Sequence, residues 1–129
     1  MYTVNRFEFL EDINIEGAVV LTKNIESRKQ LFDAIASGLR FPDYFGGNWD
    51  AFIDCLSDLS WLDQDEAVLA HACPPSLPGR ELKVYLECLV DAAARRVPDD
   101  RPKLRLVFRR QDRQKIEDLF AEDDSSSTT

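Results

Sequence analysis

Short apolar runs take turns with helical stripes along this chain, and that alternation restricts the fold more than any other feature. Ala18-Val19-Val20-Leu21 follows Gly17 as a continuous apolar run, the pattern of a strand buried on both faces. Ser27 and Gln30 then match a capping box. Leu31, Phe32, Ile35 and Leu39 follow at helical spacing, and Gly38 sits near the end, where helices stop. Phe41 to Asn48 contains Pro42, Gly46 and Gly47 and is a shaped loop, with Asn48 suited to cap a second helix from Trp49. Ala67 to Ala70 is a second strand, and the proline-rich stretch from Cys73 to Gly79 is a loop. A third helix from about Arg80 to Arg96 carries Leu82, Tyr85, Leu86, Leu89 and Ala93 on one stripe, and Pro98 ends it. Leu104 to Arg109 is a third strand with partial alternation, expected near an edge.

The order β, α, α, β, α, β implies an α/β fold with a small three-stranded parallel sheet and right-handed helical crossovers. The expected organisation is an N-terminal extension over 1–17, able to add an edge strand, and a main domain over 18–110. A short helix over 111–121 and a disordered acidic, Ser/Thr-rich tail over 122–129 follow. A chain of 129 residues, 44% apolar, can bury a core without disulfide or metal. Cys55, Cys73 and Cys88 are few and odd in number, which suggests free thiols in a reducing cytoplasm. No apolar run approaches the roughly 20 residues of a membrane span. The start, MYTVNRFEFLED, carries acids early and has no signal-peptide core, so a cytoplasmic location is expected.

Charge is distributed unevenly. The net charge is −8, which argues against nucleic acid or an anionic membrane as partner and is compatible with a basic protein. Between Phe41 and Gly79 there is no Lys or Arg, whereas Asp43, Asp50, Asp54, Asp58, Asp63, Asp65 and Glu66 all fall there. On the second helix Trp49, Phe52, Ile53, Leu56 and Leu59 cluster on one side, and Asp50, Asp54 and Asp58 line the other at i, i+4, i+8. Like charges at this spacing cost a few tenths of a kcal/mol per pair. A solvated acidic face is the plain interpretation. An acidic face that directly follows a loop with Tyr44, Phe45 and two glycines favours a protein-binding surface instead.

Phe41-Pro42-Asp43-Tyr44-Phe45-Gly46-Gly47-Asn48-Trp49-Asp50-Ala51-Phe52-Ile53-Asp54-Cys55-Leu56 resembles the signature of the barstar family, small intracellular inhibitors of microbial ribonucleases. The element order also resembles that fold, from about Ala18 to Arg109. The resemblance implies inhibition by plugging the enzyme's active site with this helix and loop. It places Asp54 in the ribonuclease phosphate site, Asp50 against a second basic or catalytic group, and Tyr44 over the catalytic histidine. Gly46 and Asn48 would belong to the contacting loop, and Asp91 would supply an acid from the third helix. Trp49, Ile53 and Asp58 complete the candidate partner-binding set. Ile53 stands where a member of the family has Trp, and Asp91 where Glu is usual. The implied protein is a monomer that binds its basic, barnase-type ribonuclease 1:1, without cofactor or metal.

Rival readings use the same residues. Asp50 and Asp54 as an acid–base pair lie on an exposed helix face without an evident water-excluded pocket. His71, Cys73 and Cys88 lack paired metal-ligand spacing, so His71 is expected to be structural. Gly46-Gly47-Asn48 could cradle an anion, but Asp50 would repel it and no Lys follows. Trp49, Phe52, Ile53 and Leu56 are expected in the core, Tyr85 there too with its hydroxyl at the rim, and Arg105, Arg109 and Arg110 along a solvated edge. The remaining alternative is an immunity or regulatory protein that binds a different basic nuclease or toxin.

Overall fold

A computed structural model of the chain describes residues 6–22, 25–43 and 45–127, with residues 79 and 122–127 described by backbone alone. Strands β1 (Phe7–Leu10), β2 (Val19–Leu21), β3 (Glu66–His71) and β4 (Lys103–Arg109) form one parallel sheet in the order β1-β4-β3-β2. Helices α1 (Arg28–Gly38) and α2 (Trp49–Asp58) connect β2 to β3, and α3 (Gly79–Arg95) connects β3 to β4. A short 3-10 turn over Arg110–Asp112 leads into α4 (Arg113–Ser127). The fold is the α/β class expected, with four strands instead of three. The expected disordered tail over 122–129 falls on the last backbone turns of α4 and on 128–129, which lie outside the described residues.

The sheet has two unlike faces. Phe7, Leu21, Ala67, Leu69, Leu106 and Phe108 point into the main core with Leu31, Phe32, Ile35, Phe52, Leu56, Tyr85, Leu86 and Leu89 of the helices. The other face is small. Ile13 covers Val68, Ala70 and Val107, with Ile15 and Ala18 beside it. These covering residues lie in the segment that joins β1 at one edge of the sheet to β2 at the other, so the connection itself closes this face.

The extra strand changes how two arginines are used. β4 is an interior strand, held between β1 and β3, and not the edge expected. Arg105 consequently faces carboxylates from both neighbours: its Nε and Nη2 donate to Glu8 at 2.9 and 2.7 Å, and its Nη1 to Glu66 at 3.3 Å. The bidentate bond from Arg105 holds the Glu8 carboxyl below its ordinary pKa. Arg109 donates to the Ala72 carbonyl at 2.8 Å. Neither side chain is a merely solvated edge residue. β2 is the true edge on the other side, and Val20 is 46% exposed, so the expectation of a strand buried on both faces fails there.

Local signals act as the sequence suggests. Ser27 accepts from the Gln30 amide, while the Gln30 side chain accepts from the Glu26 amide, one residue before the cap. Gly38 does more than end α1. A Cβ there would lie 2.4 Å from Val19 Cγ1, so its lack of a side chain permits the close approach of helix and strand.

His71 is fully buried at the end of β3, stacked on Phe108 at 3.9 Å. Its Nδ1 lies 2.9 Å from the Val107 carbonyl, an acceptor only, so Nδ1 carries the proton and donates. Nε2 then accepts from the Tyr85 hydroxyl at 2.7 Å. Tyr85 is fully buried, hydroxyl included, which corrects the expectation of a hydroxyl at the rim. Burial pushes His71 down from 6.5 to about 4. Below pH 6.5 the unfolded chain therefore takes a proton that the folded chain refuses. The stability contributed by neutral His71 is complete above pH 6.5 and is lost as pH falls towards 4, by about 3 kcal/mol. Urea unfolding of wild type and His71→Gln should show the gap between them narrowing as pH drops from 7 to 4.5. A constant gap would mean that His71 titrates normally in the fold.

Candidate functional site

The acidic helix is built from its cap inward. Asn48 is extended (φ −125°, ψ 168°), and its side chain accepts from the Ala51 amide at 2.8 Å. Asp50 in the first turn meets the positive end of the helix dipole. Phe52, Ile53, Cys55 and Leu56 are buried. Burial of a large apolar side chain stabilises by about 1.5–3 kcal/mol, which outweighs the repulsion of stacked aspartates on the opposite side.

The loop ahead of α2 is held by rings. Phe45 packs edge-on against Phe32 and Phe41 at 5.3 and 5.2 Å, and Trp49 against Phe32 at 4.9 Å. Phe41 in turn meets Trp61, whose indole N–H donates to the Leu39 carbonyl at 2.9 Å. The Phe45 amide bonds the Pro42 carbonyl at 3.0 Å. Gly47 takes φ +73°, a backbone region where glycine carries no side-chain penalty. Gly46, Gly47 and Asn48 are thereby left exposed on an anchored turn.

At the other end, Leu59 takes a left-handed conformation (φ 55°) and its amide closes on the Cys55 carbonyl. Arg96, just beyond α3, donates from Nη1 to the Ser57 and Asp58 carbonyls at 2.9 and 3.0 Å and from Nη2 to the Pro102 carbonyl. One guanidinium thus satisfies the negative end of α2 and ties it to the entry of β4.

α2 packs along α3. Asp50, Asp54 and Asp58 are exposed, and Asp91 is half-buried on α3. Burial pushes the Cys88 thiol up to about 12, and the negative charges of Asp91, Glu87 and Asp50 add to that rise. Cys55 is raised by burial and by Asp54 and Asp58. Ile53 is only 9% exposed, and Trp49 is half-buried against Phe32 and Phe52. Tyr44 lies outside the described residues.

Three residues at this surface escape a reading confined to the acidic window. Glu87 and Arg95 share the α3 stripe of Asp91 at intervals of four, a visible periodic signal. Arg95 Nη1 donates to Asp54 Oδ1 at 2.8 Å. The role of Arg96 depends on where α3 ends against α2, which no local pattern specifies.

Residues 17–109 match the family model described as Barstar (barnase inhibitor). The chain belongs to the barstar family. No curated protein matches it, and no solved structure does. β1, most of its connection to β2, and α4 lie outside the stretch that matches the barstar model, and β1 and α4 pack on one another: Phe7 lies 6.4 Å from Phe120, and Arg113 sits 5.1 Å over Phe9. β1 pairs along β4, which would otherwise be an open edge. Among the described residues no helix is long and apolar enough to cross a membrane.

The Arg96 contacts make a direct prediction. Arg96→Ala should lower unfolding stability in urea by about 1–3 kcal/mol, because it strips a charged donor from three carbonyls. Arg96→Lys should restore little of it, since one ammonium cannot reproduce the fork. Full stability in the lysine variant would show that charge alone holds the end of α2.

Proposed function

We propose that this barstar-family chain inhibits a barnase-type ribonuclease by inserting the face of α2 and the preceding loop into the enzyme's basic cleft. The observation that supports it most is the line of exposed carboxylates at Asp50, Asp54 and Asp58 on a helix fixed at both ends and along its apolar side. A ribonuclease cleft must be basic to hold phosphate. A carboxylate on a rigid helix substitutes for that phosphate through charge-assisted hydrogen bonds.

In this reading Asp54 fills the phosphate site. Asp50 and Asp91 engage flanking basic groups, and Tyr44, Gly46 and Asn48 form the contacting loop. Trp49 and Ile53 support the surface mostly from beneath, and Asp58 extends its negative field. The proposed protein acts as a monomer in a 1:1 complex, in the cytoplasm of the cell that makes the nuclease. It needs no cofactor and performs no turnover. Because the helix is already formed, little ordering entropy is lost on docking. The negative surface steers a basic partner and raises its association rate.

Titration of the chain into a barnase-type ribonuclease tests this. RNA cleavage should fall to zero near one equivalent, and Asp54→Ala should weaken binding by about 2 kcal/mol or more. Association should slow as salt is added. Undiminished cleavage at micromolar excess would move the target to another partner. Tight inhibition that ignores Asp54→Ala would remove Asp54 from the centre of the site.

A further inference from the structure

The carboxylate that the proposed function places at the centre of the interface already has a cationic partner. Arg95, in the last turn of α3, reaches across to α2 and donates to Asp54 Oδ1 at 2.8 Å. Both side chains are more than half exposed, at 54% for Arg95 and 69% for Asp54. Such a pair adds little to folding. It is open to an incoming group. The neighbouring Arg96 already serves the α2 carbonyls, so Arg95 is not needed to hold the helices together.

Resting on the inhibitor reading, we propose that Arg95 is an internal competitor for Asp54 that holds down the affinity of this surface for cationic partners. A cation approaching Asp54 meets an oxygen that already accepts a bond and a like charge beside it. Arg95 holds Asp54 through a single Nη1 bond, so a lone ammonium that displaces it gains about what it takes away. A partner that delivers a guanidinium or several clustered cations, as a phosphate-binding cleft does, can displace Arg95 and gain the bonds it gives up. Arg95 thereby lowers the affinity for every cationic partner.

Arg95→Gln, Arg95→Lys, Asp54→Asn and the Asp54→Asn/Arg95→Gln double variant would be compared on two probes, a barnase-type ribonuclease and a hexa-arginine peptide. Arg95→Gln should tighten binding to both by about two- to fivefold, the range that an exposed ion pair commands. Arg95→Lys should stay near wild type. In the Asp54→Asn background the gain from Arg95→Gln should largely vanish, because there is no longer a carboxylate to compete for. Weaker binding on Arg95→Gln would overturn the proposal and make Arg95 a contact or a positioning residue. An equal gain with and without Asp54 would reduce Arg95 to a remote charge and also overturn it. Failure of the wild type to inhibit the ribonuclease would count against the inhibitor reading alone, since the peptide comparison still decides the competition at Asp54.

Discussion

A helix that stacks Asp50, Asp54 and Asp58 along one face is self-repelling, and it persists here because its other side is sealed into the core. Phe52, Cys55 and Leu56 are almost without solvent contact. Phe52 and Leu56 lie among Phe32, Tyr85 and Leu86, so the packing of α2 against α1 and α3 opposes the charge repulsion. The ends contribute too. Asn48 accepts at the first turn, and Arg96 donates to the last carbonyls. Each of these is worth about 1 kcal/mol, larger than the repulsion within a single aspartate pair. The outcome is a negative surface whose shape does not depend on a partner.

The path from sequence to fold is short for the elements that match by period. Leu31, Phe32 and Ile35, and Leu82, Tyr85, Leu86 and Leu89, are buried as their spacing implies. The capping residues Ser27 and Asn48 bond as their chemistry implies. The first strand is harder to see. Phe7 and Phe9 face the helices while Glu8 faces away, and Glu8 makes sense only through Arg105, 97 residues further along. Without that pairing β4 looks like an edge and its arginines look solvated. Likewise Val20 belongs to an apolar run that suggests full burial, yet its position in the outermost strand exposes it. Strand order is a long-range property, and local hydropathy does not encode it.

The candidate surface divides the same way. The aspartates of α2 are legible because period and charge coincide within one segment. The contribution of α3 is partly legible, since Glu87, Asp91 and Arg95 recur every four residues. What is not legible is that this stripe lies beside α2, so that Arg95 meets Asp54 across a gap of 41 residues in sequence. A window free of lysine and arginine therefore overstates how uniformly negative the folded surface is. The fold returns a cation to the centre of it.

The same carboxylates add to what burial does to two nearby thiols. Cys55 on α2 and Cys88 on α3 are both buried, and burial first, then the nearby acids, raise both above the ordinary thiol range. Thiolate is the reactive form, so a thiol near 12 stays protonated and inert at neutral pH. Cys88 therefore acts as a small apolar core residue. A surface arranged to attract cations disfavours thiolate formation in its own support.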